Sequence, residues 1–299
     1  MRVTQNMINR QLIFSIQRNM DVLDGLNRQL STGRRVNTVS DDVPDARQIM
    51  FLERENGKID AYLRNISSVD GILSVATSTL EDVSQTITRV KELAVQAATG
   101  TYTPNNRLAM SEGVEGLLNT LLGMANVQHN GASVFAGEAA QTTAYEATTD
   151  AEGYVTAVSY EGEAISTQVP VGPGMSSEAN FVGRRIFQGS ADLWETLIAL
   201  RDAMRANDIE GIQGLIEDLE TCHSDVRRSV GQLGERQAQL QLLLGNIERM
   251  QDLNLQIISE RQDADMAEVG TQYNSQMTLL QMVMNVAARS VKPSILDYL

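Results

Sequence analysis

An apolar repeat with a period of about 3.5 residues constrains the fold of this chain more than any other feature. It runs from Leu52 to Ala97 in alternating steps of three and four, and its one charged position, Glu55, lies near the start. The apolar members are Leu52, Ile59, Tyr62, Ile66, Val69, Leu73, Ala76, Leu80, Val83, Ile87, Val90, Ala94 and Ala97. This period keeps apolar side chains facing a partner as helices supercoil, so it predicts a coiled coil. At the helical rise per residue, the rod is about 70 Å long.

A rod of this length needs a partner of similar length, and a second repeat of the same period supplies one. Its positions are Ile212, Leu215, Leu219, Cys222, Val226, Ser229, Leu233, Arg236, Leu240, Leu243, Ile247, Met250, Asn254 and Ile257. The second repeat equals the first in length, although it is imperfect at several positions. Together the two repeats predict a long antiparallel helical hairpin.

Shorter repeats of the same kind lie near both ends of the chain. The first follows Leu12, Ile16, Asn19, Leu23, Leu26 and Leu30, and the last follows Met266, Val269, Tyr273, Met277, Leu280, Met284 and Ala287. We expect the first helix to end at Gly33 and the next to be capped by Asp41 or Asp42. Since aromatic residues make up only 4% of the chain, a thick core around these helices is not expected. Their apolar faces should pack against each other and against neighbouring subunits.

The pattern changes between Gly131 and Gly189, where glycine is frequent and heptads vanish. A third helix over residues 110–124 is expected to end at Asn130-Gly131. Residues 154–160 and 165–169 are rich in β-formers, and the turn between them predicts a β-hairpin. A helical pattern returns over residues 193–204, before the second long repeat.

The predicted fold is therefore mainly α: a long antiparallel coiled-coil or helical-bundle rod formed by both chain ends, with a small β-rich inserted domain. We divide it into three parts. Residues 1–42 plus 258–299 form a terminal helical domain, residues 43–132 plus 190–257 form a helical-bundle rod domain, and residues 133–189 form a β-rich outer insertion.

Composition excludes several classes of function. The net charge of −14, with a pI near 4.6, argues against a nucleic-acid partner, because phosphate binding needs clustered cations. No apolar run approaches the roughly 18 residues of a membrane span, so membrane insertion is not expected. Residues 1–20 lack the apolar region of a secretory signal peptide. The single cysteine rules out an internal disulfide framework.

No pattern in the sequence points to catalysis, so we expect no enzyme, no cofactor and no metal site. There are two histidines, His129 and His223, which is too few for most metal or triad designs. Cys222 and His223 are adjacent and would point about 100° apart on a helix, so they do not converge on one ion. Cys222 fits a small buried apolar residue, and the carboxylates of residues 263–268 fit a solvated or interface face.

Three segments resemble motifs of the bacterial flagellin superfamily. Residues 31–37 (STGRRVN), followed by the SDD of residues 40–42, are similar to its N-terminal turn. Residues 91–98 (KELAVQAA) resemble its "ELAVQAA" helix end, and residues 263–268 (DADMAE) resemble its C-terminal acidic segment. The likeness covers roughly residues 1–138 and 180–299, whereas the middle of the chain is only loosely similar.

Within the superfamily the chain resembles the hook-associated members that join the hook to the filament. The start MRVT (residues 1–4), the segment SVFAGE (residues 133–138) and the ending LDYL (residues 296–299) carry this likeness. One departure is Val43, which separates the aspartate pair from Pro44, whereas proline usually follows that pair directly.

The resemblance implies a structural function. Such proteins have a terminal helical domain, a bundle rod and an outer β domain, and they leave the cell unfolded through the flagellar type III export channel, without a cleavable signal peptide. They form a ring of copies in the flagellar axis, between a hook-side junction protein and flagellin. An export chaperone that binds the C-terminal helix is implied as well. In the free monomer, the chain ends are expected to be disordered or weakly helical.

The subunit interface is expected to use the terminal apolar repeats. Its predicted residues are Leu12, Ile16, Leu23, Leu26, Leu30, Met277, Leu280, Met284 and Leu296. Two alternatives stay open. A flagellin filament subunit would add to itself without limit. A type III-secreted translocator or tip protein also uses long coiled coils, but it usually carries an apolar membrane-inserting segment, which this sequence lacks.

Overall fold

A computed structural model of the chain describes residues 5–290, and these fold into seven helices and three short antiparallel strand pairs. The helices are α1 (Gln5–Thr32), α2 (Val43–Ala97), α3 (Pro104–Ala125), α4 (Gly183–Phe187), α5 (Leu193–Arg205), α6 (Ile209–Gln262) and α7 (Met266–Ser290). The predicted fold class is confirmed. The chain divides into a central unit of residues 59–248 and a terminal unit of residues 5–58 with 249–290.

In the central unit, α2 and α6 lie side by side and run antiparallel. Gln237 donates a hydrogen bond to Asp70 at 3.4 Å, and Lys91 pairs with Glu220. As the residue number rises along α2, the number of its partner falls along α6. Every apolar member of the α2 repeat from Ile66 to Ala97 is at most 2% exposed, which shows that the predicted repeat forms the contact face. The predicted pairing of the two long repeats is thus confirmed within this unit.

The third helix starts as a capped helix should, but it ends earlier than predicted. Thr103 accepts a hydrogen bond from the amide of Asn106, and Pro104 is the first helical residue. The helix ends at Ala125, because the side chain of Asn126 exchanges two 2.8 Å hydrogen bonds with the backbone of Tyr145. The prediction that Asn130-Gly131 ends it was wrong. Both residues have positive φ (52° and 79°) and form a hairpin turn, for which Asn-Gly is the favoured pair.

The strands pair differently from the prediction. β1 (Gln128–His129) pairs with β2 (Ala132–Ser133), β3 (Tyr145–Thr149) with β4 (Val155–Tyr160), and β5 (Gln168–Gly172) with β6 (Met175–Glu178), all antiparallel.

The predicted hairpin between residues 154–160 and 165–169 was wrong because the segment between them is held elsewhere. The amide of Glu163 donates to Ala136 O at 2.9 Å. The residues around Glu163 are therefore bonded to Ala136 and do not form a turn that would pair residues 165–169 with residues 154–160. The real turn lies before β4, where Asp150 Oδ1 accepts from the amides of Glu152 and Tyr154. An aspartate side chain that accepts hydrogen bonds from nearby backbone amides commonly stabilises a reverse turn.

Aromatic side chains gather in one place in the central unit. Tyr145 lies within 5.1–5.6 Å of the rings of Tyr160, Trp194 and Phe187, and Phe135 meets Phe187 edge to face at 5.6 Å. This cluster fills the space where the strands meet the helices, whereas the narrow helical contacts are filled by Leu, Ile, Val and Ala. The low aromatic content of the chain follows from this division.

Gly137 shows how closely the chain packs at this point. Its φ is +61°, and a Cβ there would lie 2.1 Å from the carbonyl oxygen of Glu163. Only glycine fits a position with both constraints. The residues of SVFAGE therefore build the base of the β region: Val134, Phe135 and Ala136 are buried, and Glu138 is exposed.

Candidate assembly interface

Two segments from opposite ends of the sequence meet in the terminal unit. α1 ends at Thr32 and is capped by Gly33, as predicted: the φ of Gly33 is +71°, and its amide donates to Gln29 O at 2.8 Å. Arg34 then forms a β-bridge with Asp263. The amide of Ala264 donates to Gly33 O at 2.9 Å, and the amide of Arg35 donates to Gln262 O at 2.7 Å. The two motifs that resemble flagellin ends therefore form one joint.

Side-chain charges reinforce this joint. Arg35 pairs with Asp45 and Asp42 and also donates to Arg261 O at 2.7 Å, and Arg261 donates to Asp45 at 2.6 Å. The hydrogen bonds from Arg35 and then Arg261 hold the pKa of the Asp45 carboxyl below its usual value. Asp42 also caps α2, since its Oδ1 accepts from the amide of Asp45 at 3.1 Å.

A small apolar cluster lies next to these charges. Val36, Ala46, Ile49 and Leu52 are buried with Ile258 in one group, which belongs to the terminal unit alone. Further along the same helices, the buried Asn56 accepts a 2.9 Å hydrogen bond from Asn254. A polar pair at such a position satisfies its own hydrogen bonds and favours one register of the two helices.

The joint sets α1 antiparallel to α7, and the two helices pack against each other. The predicted repeat of α1 faces this contact: Leu26 is 8% exposed, and Leu12, Ile16, Leu23 and Leu30 are half-buried. Asn19, also in the repeat, accepts a 2.6 Å hydrogen bond from Gln276. On α7, Leu280 is half-buried, whereas Met277 and Met284 are exposed. Leu296 lies outside the described residues.

A second apolar set remains on the outside of this pair, and of its members the sequence analysis identified only Met266, Met277 and Met284. On α1 it comprises Met7, Ile13, Phe14, Met20 and Val22, and on α7 it comprises Met266, Met277, Leu279, Met282, Met284 and Val286. Phe14 is 64% exposed and Met282 is 56% exposed. In the whole central unit, by contrast, the large apolar side chains that are exposed are Val95, Leu108, Ile165, Met175 and Leu242. We call the exposed residues of α1 and α7 the outer apolar set.

The sequence did carry a signal for this surface. From Val269 to Ala288, α7 contains no charged residue, and its exposed polar side chains are Asn, Gln, Ser and Thr. A helix with one solvated face normally carries charges on that face. An exposed apolar surface on a helical stretch without charges is unusual for a protein that stays monomeric.

The candidate chemical groups Cys222 and His223 belong to the central unit. Cys222 is buried in the central unit, and burial raises the pKa of its thiol to about 11, so it is an inert apolar residue as the sequence predicts. His223 shares a 2.8 Å hydrogen bond with Ser84. Over residues 5–290, no group of three or more His, Cys, Asp or Glu side chains could hold a metal ion. In the same range, none of the helices is long and apolar enough to cross a membrane.

Known proteins resemble this chain both in sequence and in fold. The profile of the bacterial flagellin N-terminal helical region matches residues 3–140. Proteins named flagellar hook-associated protein 3 match from Salmonella typhimurium (27% identical over 150 residues, 50% of this chain and 47% of that protein) and from Escherichia coli (27% over 188 residues, 62% and 57%). The chain thus spans about half the length of the curated relatives it matches.

A solved flagellar hook-associated protein from Vibrio parahaemolyticus shares the fold. Its TM-score is 0.67 at 20% identity, over 75% of this chain and 100% of the solved one. Over its first half the chain is therefore similar to the flagellins, through the match to their N-terminal helical region. The chain also resembles the proteins named flagellar hook-associated protein 3, which confirms the likeness that the sequence motifs predict.

Proposed function

We propose that this chain is a structural component of the bacterial flagellum, a hook-associated junction protein that links the hook to the flagellin filament. The observation that carries this proposal is the outer apolar set on α1 and α7 in a flagellin-like chain. Burying exposed apolar surface contributes roughly 25 cal/mol per Å², so a face of this kind favours association with another helical surface. A catalytic role has no comparable support among the described side chains.

The proposed partners are other copies of the chain, a hook-side junction protein and flagellin. A ring of copies in the flagellar axis would place the terminal units of neighbouring subunits in contact. In this proposal the predicted residues of α1 first form the internal pair with α7, and the outer apolar set supplies most of the contact between subunits. An export chaperone would cover the C-terminal helix before assembly. The location would be the extracellular flagellum, after export without a cleaved signal peptide.

The test is electron microscopy of purified protein added to isolated hooks that already carry the hook-side junction protein. A single short layer that stops growing and then accepts flagellin is the expected result. The double variant Phe14→Ser with Met20→Ser should fail to form the layer. The control Val95→Ser with Leu108→Ser changes two exposed apolar residues of the central unit and should still form it. Absence of any layer with the unmodified chain would refute the proposal.

The second candidate is a flagellin filament subunit, and the match of residues 3–140 to the flagellin N-terminal helical region favours it. The same terminal surface would serve either function. The two differ in whether growth stops, because a filament subunit presents the same surface after each addition. Continued elongation in the hook experiment would identify the chain as a filament subunit.

A further inference from the structure

Methionine is distributed unevenly between the two units. In the terminal unit every described methionine is exposed, with 37–62% of the surface of the residue accessible to solvent. These residues are Met7, Met20, Met50, Met250, Met266, Met277, Met282 and Met284. In the central unit, Met204 is fully buried, Met110 and Met124 are half-buried, and Met175 is exposed. Methionine normally fills gaps inside a core, so its concentration on one surface calls for an explanation.

Six of these eight methionines lie on α1 and α7, and Met50 and Met250 lie on α2 and α6. On α7, Met277 and Met284 are seven residues apart and Met266 lies eleven before Met277, so all three share one side of the helix. Met282 lies on the opposite flank, beside Leu279 and Val286. On α1, Met20 is seven residues after Ile13 and shares its side. The outside of the pair therefore presents thioether side chains to solvent.

We propose that these methionines are a modification site through which oxidation controls assembly. The inference rests on the function proposed above. A peroxide transfers one oxygen atom to the thioether sulfur; the O–O bond breaks, the sulfur is oxidised by two electrons to the sulfoxide, and the peroxide leaves as water or an alcohol. The sulfoxide is polar and chiral, so an interface that buries it loses apolar contact and must satisfy a new acceptor.

Exposure decides when the modification can occur. In the free chain the sulfur-bearing side chains are open to solvent, and the sulfoxide can remain hydrated without disturbing the fold. In an assembled layer the same side chains would be covered and protected. Met204, which is 0% exposed, should stay reduced in either state. The oxidation state of the free subunit would therefore select which subunits join the structure.

The experiment uses the full chain and hydrogen peroxide. Free chain is oxidised, the modified methionines are located by mass spectrometry of peptides, and layer formation on hooks is then measured. We expect sulfoxide at the six exposed methionines of α1 and α7, an unchanged helical circular dichroism signal, and at least a tenfold loss of layer formation. The six are Met7, Met20, Met266, Met277, Met282 and Met284. Methionine sulfoxide reductase should restore assembly. In layers formed before peroxide treatment, these six methionines should resist oxidation, while Met175 serves as the exposed internal reference.

A matched variant replaces the six methionines of α1 and α7 by leucine, which keeps the apolar surface but cannot form a sulfoxide. This variant should form layers equally well before and after peroxide treatment. Oxidised natural chain that assembles as well as untreated chain would overturn the inference and leave the proposed function intact. Loss of helical signal on oxidation would also overturn it, since the defect would then be unfolding. Failure of the untreated chain to assemble would refute the proposed function itself.

Discussion

At the scale of single residues, the central unit depends on one buried ion pair. Arg201 donates to Glu115 Oε2 at 2.7 Å and to Val155 O at 2.6 Å, while Glu115 also accepts from the amide of Val155 at 3.1 Å. The side chains are 4% and 10% exposed. These bonds join α5, α3 and the start of β4, so the pair connects helices to the β region.

Removing one member of this pair should be costly. The variant Arg201→Ala leaves the Glu115 carboxylate buried without its partner, so the free energy of unfolding should fall by about 3–5 kcal/mol, measured by urea denaturation. The control is Glu152→Ala, which removes a 71% exposed partner of Arg205 and should change stability by less than about 1 kcal/mol. Equal losses in the free energy of unfolding for the two substitutions would show that the buried Arg201 pair contributes no more to stability than an exposed pair.

The Asp45 carboxyl predicts how the terminal unit responds to acid. Its pKa is lowered by hydrogen bonds from Arg35 and Arg261, so its contribution to stability is present above the unfolded pKa of about 3.9 and is lost as the pH falls through the lower folded value. We expect the unfolding midpoint of the natural chain to decrease below about pH 4 more steeply than that of Asp45→Asn. Parallel pH profiles for the two proteins would contradict this.

The ion pairs around Asp45 show which contacts of the terminal unit can be predicted from the sequence and which cannot. The apolar repeats could be read from the sequence because a single period reports which side of a helix is buried. The contact between Arg35 and Arg261 could not be predicted from the sequence, since the two residues are 226 positions apart and no local pattern joins them. Asp42 is an intermediate case, because its capping role follows from the residues just after it.

At the scale of elements, the helix pairs differ in how much each side chain is shielded. The α2 repeat in the central unit is almost fully buried, with Leu80, Val83 and Ile87 at 0% exposure. In α1 the most shielded repeat residue, Leu26, is still 8% exposed, and the others are half-buried. Helices gain most of their stability from tertiary packing, so α1 should be the less stable element.

Amide hydrogen exchange of the dilute chain should reveal this difference. We expect the amides of α1 to exchange much faster than those of residues 59–97, because opening α1 exposes less buried surface. Protection in α1 should rise when the chain assembles, since a neighbouring helix would then cover its outer side. Full protection of α1 in the dilute monomer would contradict the prediction that the free chain ends are only weakly held.

Strand pairing was the least predictable feature among the elements. The β-forming segments were recognised from composition, but pairing depends on which turn closes and on contacts from distant residues. Asp150 closes the β3–β4 turn through two backbone amides, whereas the segment after Tyr160 is held by Ala136. The predicted end of α3 was wrong for a similar reason. The side chain of Asn126 forms hydrogen bonds with the backbone of Tyr145, which is 19 positions further along the chain.

At the scale of the whole molecule, overall charge and local charge act in opposite directions. The chain carries a net charge of −14, which makes copies repel each other. Yet the predicted contact surface is apolar, and α7 has no charged residue from Val269 to Ala288. Association should therefore depend on how far salt screens the general repulsion while the apolar contact stays unaffected.

This opposition predicts the response of self-association to salt. Light scattering should show that association of the natural chain increases with sodium chloride, as repulsion is screened, and increases further in sulfate, which strengthens apolar burial. Phe14→Ser with Met20→Ser should keep the response to screening but lose most of the additional response to sulfate, because its contact surface is less apolar. If association instead fell as sodium chloride was added, charged groups would have to hold the copies together, and the outer apolar set would not be the interface.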